Sequence, residues 1–162
     1  MPIRAAVITI SDRAFNDVYE DRSGPVARDA LVAAGFDCAD IVIVPDDSQR
    51  IFAAIHHAIH DGARLVLTTG GTGVSPRDVT PEATAQLGGQ ELPGIAEAIR
   101  RKGLENTPFA IASRGISVVV RDGDRSALVV NAPGSRGGAR DATAVVIPVV
   151  EHILGQLDGL SH

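Results

Sequence analysis

Three short runs rich in β-branched residues, Arg4 to Ser11, Cys38 to Val44 and Arg64 to Thr69, are separated by two segments with apolar residues at helical spacing. Near-continuous apolar runs of this length suit strands buried on both faces, as in a parallel sheet. Parallel neighbours need a crossover, and a helix is the compact way to make one. The order strand, helix, strand, helix, strand therefore predicts an α/β fold with a doubly wound, mostly parallel sheet flanked by helices.

The remaining elements follow from local signals. A polar loop is expected from Asp12 to Arg22, after which Ser23 caps a helix carrying Val26, Ala27, Ala30, Leu31 and Ala34 and stopped by Gly35. Pro45-Asp46-Asp47 closes the second strand. A helix from Ser48 to Asp61 then carries the stripe Ile51, Ala54, Ile55, Ala58, Ile59. Thr80-Pro81-Glu82 reads as an N-cap, a proline in the first turn and an acid on the helix dipole. Another helix spans Pro93 to Leu104. Ile116 to Arg121 and Ala127 to Val130 flank Asp122-Gly123-Asp124 as a C-terminal hairpin. A last helix begins near Gly138 and must be kinked or split by Pro148. With no internal repeat or linker, residues 1–162 read as one domain.

Composition limits the partners. Aromatics are only 3% and Trp is absent, so aliphatic residues must fill the core, and subunit burial is expected to add stability. The formal net charge of -5 argues against general affinity for nucleic acid or anionic membranes. An anionic substrate must then be held by local donors. The lone Cys38 sits among apolar neighbours and reads as a small buried hydrophobe. No run approaches a membrane span and no secretory leader is visible, so a cytoplasmic location is expected.

The most informative segment runs from Thr68 to Glu82. Gly70, Gly71 and Gly73 follow directly on a parallel strand and let backbone N–H groups face outward as an anion nest. Thr69, Thr72 and Ser75 add hydroxyls, and Arg77 adds a cation. The segment is neither a P-loop, lacking the Lys-Ser or Lys-Thr pair, nor a dinucleotide fingerprint, because Pro76 stands where the third glycine belongs. A second loop, Asn131 to Gly138, again joins a strand end to a helix N-terminus, and its Pro133, Gly134 and Ser135 suit a second phosphate. Asp12, Asp46 and Asp78 stand at strand ends or in these loops, where carboxylates beside phosphates hold Mg²⁺. A cap or a turn is the structural alternative for each of these acids: Asp12 opens a loop, and Asp46 or Asp47 can cap the next helix. His56, His57 and His60 are expected on a solvated helix face without a third metal ligand. Every histidine falls in a helix or at the C-terminus, so no Ser–His–Asp or Cys–His arrangement is expected.

Ser11-Asp12-Arg13, Pro45-Asp46-Asp47, TTGGTG at 68–73, Arg77-Asp78-Val79-Thr80-Pro81-Glu82-Ala83-Thr84, Leu92-Pro93-Gly94, Ser113-Arg114-Gly115 and Asn131-x-Pro133-Gly134-Ser135 together resemble the MogA/MoaB family of molybdenum cofactor biosynthesis proteins. The likeness spans nearly the whole chain in order. It implies a three-layer α/β fold, a homotrimer or hexamer, and adenylylation of molybdopterin by MgATP with release of pyrophosphate. It also implies handover of the product to a molybdenum-insertion protein. By motif, Asp46 and Asp78 match the family's functional aspartates and would hold Mg²⁺. Gly70 to Gly73 match its ligand cradle. Ser113, Arg114 and Pro133 to Ser135 match further ligand-contacting segments. Arg136 departs from the proline common after Ser135 in the family, which alters loop stiffness and local charge. A non-catalytic molybdopterin carrier of the same fold is the competing expectation.

Overall fold

The structure is a computed structural model and describes residues 1–160; the last two positions of the expected 1–162 domain lie outside the described residues. The chain begins with β1 (Arg4–Ile10), α1 (Asp12–Phe15), α2 (Ser23–Ala33), β2 (Asp37–Cys38), β3 (Val42–Val44), α3 (Ser48–His60) and β4 (Leu65–Thr69). It continues through α4 (Thr80–Ala85), β5 (Gln90–Glu91), α5 (Pro93–Gly103), a 3₁₀ turn (Pro108–Ala112), β6 (Ser117–Asp122), β7 (Arg125–Ala132), α6 (Arg136–Val146) and α7 (Val150–Leu157). The strands form one sheet in the order β2-β1-β4-β7-β6-β5, with β3 also paired to β1. β1, β2, β3, β4 and β7 run parallel; at one edge β6 pairs antiparallel with β7 and β5 antiparallel with β6, so only β6 runs against the rest.

Strand alternation divides the core into two layers, one on each face of the sheet. Ala5 and Val7, Leu65 and Leu67, and Leu128 and Val130 face α2, α5, α6 and α7. Ile8 and Ile10, Val66, and Ala127 and Val129 face α3 and the Ala83 side of α4. The α3 stripe behaves as its spacing predicts, with Ile51, Ile55 and Ile59 all 2% exposed or less. A buried polar cluster ties the second layer together: the Asn131 side-chain amide donates to Thr68 Oγ1 at 3.0 Å and to Thr84 Oγ1 at 2.9 Å. Cys38 is buried, and desolvation pushes its thiol up.

Four local expectations are corrected. The supposed loop after β1 opens with α1, because Ser11 Oγ accepts from the Ala14 N–H at 3.1 Å and starts a helical turn. Ser23 does not cap α2. Asp21 does so, its Oδ1 accepting from Gly24 N–H at 3.0 Å, while Ser23 lies in the first turn and its hydroxyl points at the sheet. The second strand is two: β2 pairs with the start of β1 and β3 with its end. Between them the Ala39 carbonyl leaves the ladder and accepts from Arg28 Nε at 3.0 Å. Thr80 is the first residue of α4 rather than its cap, and its hydroxyl donates to the Gly70 carbonyl at 2.9 Å. Pro148 does split the last helix, into α6 and α7. Among the described residues, no helix is long and apolar enough to cross a membrane.

Candidate active site

β1 and β4 stay paired to their carboxyl ends, Thr9 beside Thr69, but the chain leaves β1 toward β2 and β3 on one side and leaves β4 toward the β7 side on the other. Ligand crevices of open α/β sheets form at such a switch point. A cavity of about 450 Å³ lies there, and its walls include Ser11, Asp46, Thr69, Gly70, Gly71, Asp78, Gly134 and Ser135. The ends of β1, β3, β4 and β7 thus converge on one site.

The glycine loop is shaped by close approach. Gly70 has φ 97° and Gly71 φ 67°, both in the region that side chains rarely adopt. A Cβ on Gly70 would sit 2.2 Å from the Ile10 carbonyl oxygen. Gly73 has no such backbone constraint; a Cβ there would approach Asp78 Oδ2 at 2.8 Å, so its role is clearance for that carboxylate. Asp78 folds back on the loop, its Oδ2 accepting from the Ser75 N–H at 3.1 Å.

Asp12 and Asp46 form a reciprocal pair. Asp12 N–H donates to Asp46 Oδ2 at 3.0 Å, and Asp46 N–H donates to Asp12 Oδ1 at 2.9 Å. Asp47 takes the capping role on α3, accepting from Arg50 N–H at 2.9 Å, which leaves Asp46 to the cavity. Burial, reinforced by the charges of Asp12 and Asp78, pushes the Asp46 carboxyl above the usual aspartate range, against the Asp12 N–H and Arg77. Asp12 moves the opposite way: the hydrogen-bonded Arg77 guanidinium, then the Asp46 N–H, hold it below that range.

Both arginines expected at the ligand hold protein groups in this structure. Arg77 grips Asp12 with two bonds, Nε to Oδ2 at 2.9 Å and an Nη to Oδ1 at 3.0 Å. Arg114 donates to the Gly73 carbonyl at 2.7 Å, the Asp78 carbonyl at 2.9 Å and the Glu82 carboxylate. It pins the loop from glycine cradle to α4, and fork geometry suits a guanidinium to that task. Glu82 is held below the usual glutamate range by its hydrogen bond to Arg114. Because the folded-state value is depressed, that contribution to stability is present at neutral pH and is lost as pH falls through it. Both side chains are substantially exposed, so Glu82→Gln is expected to destabilise by under about 1 kcal/mol at pH 7. The gap to wild type should close as pH drops below the glutamate range, measured by urea unfolding at a series of pH values; a gap independent of pH would remove the pair from this account.

Thr72, Ser75 and Ser113, expected at the ligand, lie outside the walls of this cavity. Ser113 Oγ donates to Thr72 Oγ1 at 3.3 Å. Ser113 and Pro133 line an adjoining cavity of about 470 Å³ together with Arg100, Phe109 and Arg140, and Ser135 borders both spaces. Ser135 also caps α6, accepting from Gly138 N–H at 2.9 Å, so α6 starts at Arg136 and presents its N-terminus to the first cavity. Thr69 is wholly buried within a hydroxyl chain: Ser23 donates to Thr69 at 2.9 Å, Thr69 to Thr9 at 3.5 Å and Thr9 to Asp21 Oδ2 at 2.8 Å.

Residues 6–152 match the family described as "Probable molybdopterin binding domain". The chain belongs to this family. A molybdopterin adenylyltransferase of Pyrococcus furiosus is 35% identical over 91% of this chain and 87% of its own length. A molybdenum cofactor biosynthesis bifunctional protein of Synechococcus elongatus is 40% identical over 98% of this chain but only 48% of its own length. The chain thus spans about half the length of the bifunctional relatives it matches. The crystal structure of the tungsten cofactor synthesizing protein MoaB from Pyrococcus furiosus superposes with a TM-score of 0.89 at 32% identity, covering 96% of each chain. The mostly parallel sheet flanked by helices, expected from the alternation of elements, and the three layers implied by the resemblance are the fold of these relatives.

Within that family fold, sequence reasoning missed Tyr19, Asp21, Arg22 and Arg136 as cavity residues. Arg136 was legible as a charge added to the last loop; the other three fall in a polar stretch with no motif of its own. Among the described residues no histidine lines either cavity, and His162 lies outside them.

Proposed function

We propose that this chain is a nucleotidyltransferase of molybdenum cofactor biosynthesis that adenylylates molybdopterin with MgATP. One observation carries the reading: Asp46 and Asp78 enter the same cavity as the amide-rich turns at Gly70, Gly71 and the start of α6. The relatives named molybdopterin adenylyltransferase support the choice of reaction.

The chemistry asks little beyond positioning and charge neutralisation. An anionic oxygen of the molybdopterin phosphate attacks the α-phosphorus of ATP. The bond from that phosphorus to the bridging oxygen breaks, and pyrophosphate leaves with the electron pair. The nucleophile carries no proton, so no general base is required. Two adjoining cavities that share Ser135 offer room for two phosphate-bearing substrates with their reacting ends together. Arg77 and Arg114 act from behind, holding Asp12 and the glycine loop in place.

The donor set fits Mg²⁺. Asp46 is desolvated and stands beside the charges of Asp12 and Asp78, an arrangement that a cation relieves. Asp46 and Asp78 would hold the ion, with phosphate oxygens and water completing its shell. When bound, it supplies neutralisation of charge developing on the phosphates.

The test is pyrophosphate release from ATP with and without molybdopterin. Release that requires molybdopterin supports the enzyme. Tight molybdopterin binding with no release supports the carrier of the same fold. A cytoplasmic location and handover to a molybdenum-insertion protein complete the reading, the latter supported by bifunctional relatives that carry additional chain.

The proposed assembly is a homotrimer. Phe109 and Ile111, on the 3₁₀ turn, are 82% and 70% exposed, an apolar surface suited to burial between subunits. Sedimentation equilibrium is expected to give three times the 16.8 kDa chain mass. A monomer across the accessible concentration range would overturn it.

A further inference from the structure

We infer that His56, His60 and Asp122 form a second metal site, for a divalent transition ion of the Zn²⁺ class, on the surface where α3 meets the β6–β7 hairpin. Spacing in sequence supplied only two of the ligands. His56 and His60 are one helical turn apart and so share a face of α3. The fold brings the third: Asp122, the last residue of β6, comes from 62 positions away. Its Oδ2 lies 3.4 Å from His56 Nε2 and 3.1 Å from His60 Nε2. All three donor atoms lie within 4.8 Å of one another. Nitrogen and oxygen ligands about 2.0–2.1 Å from Zn²⁺ in a tetrahedron are separated by about 3.3–3.4 Å, so the two measured gaps approach the edges of a coordination polyhedron.

The ligands are also preorganised. Phe52 stacks on His56 with ring planes 13° apart, and the His56 and His60 rings stand 4.5 Å apart between centroids. The side chains are 47%, 52% and 46% exposed, which leaves the site open to an ion and room for water as the fourth ligand. Two imidazoles and one carboxylate select borderline ions such as Zn²⁺, Co²⁺ or Ni²⁺ over Mg²⁺, which prefers an all-oxygen octahedron. None of the three ligands lines the cavity that holds Asp46 and Asp78. A bound ion would clip α3 to the hairpin and so join the second core layer to the antiparallel edge of the sheet.

The experiment titrates the metal-free 162-residue chain with Zn²⁺ in excess Mg²⁺, which occupies oxygen-ligand sites. Zn²⁺ is expected to bind with one-to-one stoichiometry and to raise Tm. His60→Ala and Asp122→Asn should each weaken Zn²⁺ at least about tenfold, since even indirect partners of metal ligands are worth that much. Co²⁺ should give the visible absorption of tetrahedral coordination in wild type and lose it in His60→Ala. His57→Ala, on the same helix but paired with Asp61, should bind Zn²⁺ as wild type does. Equal Zn²⁺ affinity in wild type and His60→Ala would overturn the site. So would a loss of Zn²⁺ binding in Asp78→Asn with His60→Ala unaffected, which would place the ion in the acidic cavity. The His57, His60 and Asp122 side chains are exposed, so those variants should fold, and near-identical Tm values without metal would confirm it.

Discussion

Asp78→Asn is expected to lower adenylyl transfer by about 10²–10³ while leaving molybdopterin binding largely intact, as loss of one group that stabilises transition-state charge typically does. The asparagine preserves shape, and its side-chain oxygen can still accept from the Ser75 N–H that now bonds Oδ2. What disappears is the charge facing the cavity beside Asp46. Asp46→Asn should act in the same direction. The double variant should lose less than the product of the two single losses if both carboxylates work through one ion. Pyrophosphate release under saturating substrates reads the effect, and equilibrium binding of molybdopterin separates it from a binding defect. Near-normal turnover in both single variants would sink the metal assignment and put the carrier ahead of the enzyme. Loss of molybdopterin binding with normal turnover per bound substrate would make Asp78 a binding residue.

Gly70→Ala should have the largest effect on stability, about 2–5 kcal/mol in urea unfolding. A non-glycine residue held at left-handed φ costs about 1–2 kcal/mol, and overpacking a closed site adds about 1–3 kcal/mol. Here the added methyl would meet backbone, the Ile10 carbonyl at 2.2 Å, which cannot swing aside. Gly73→Ala makes the contrast. Its added methyl meets only the far end of the Asp78 side chain, at 2.8 Å, so the fold should persist while ligand affinity and transfer fall. If Gly70→Ala and Gly73→Ala proved equally stable, the claim that the loop is wedged against β1 would fail. Unchanged ATP and molybdopterin affinity in Gly73→Ala would remove the loop from the site.

The core of the fold was legible because its determinants are local. Runs such as Leu65 to Thr69 are apolar on both faces, and the α3 stripe repeats at helical spacing, so each states its own burial before anything packs against it. The glycine loop was equally plain, since positive φ at Gly70 and Gly71 demands the residue type that stands there. Asp46 and Asp78 could be placed at one cavity because strand ends converge in a parallel sheet whatever fills the loops.

What the sequence could not say is which donors are already spent. The sequence shows Arg77 only as a cation beside the glycine loop; the fold sets it against Asp12, 65 residues away, and sets Arg114 against Gly73, Asp78 and Glu82. Guanidinium groups reach far and bond whatever acceptor the tertiary structure offers, so type and position alone leave their partner open. The same holds for capping, where Asp21 displaced Ser23 and Asp47 released Asp46. It holds again for Asp122, which reads locally as the rim of a turn and becomes a neighbour of His56 and His60 only when the hairpin folds against α3. Periodicity and backbone demands are properties of adjacent residues and survive in a sequence; the pairing of long polar side chains is a property of distances between segments, and only the packed sheet sets those.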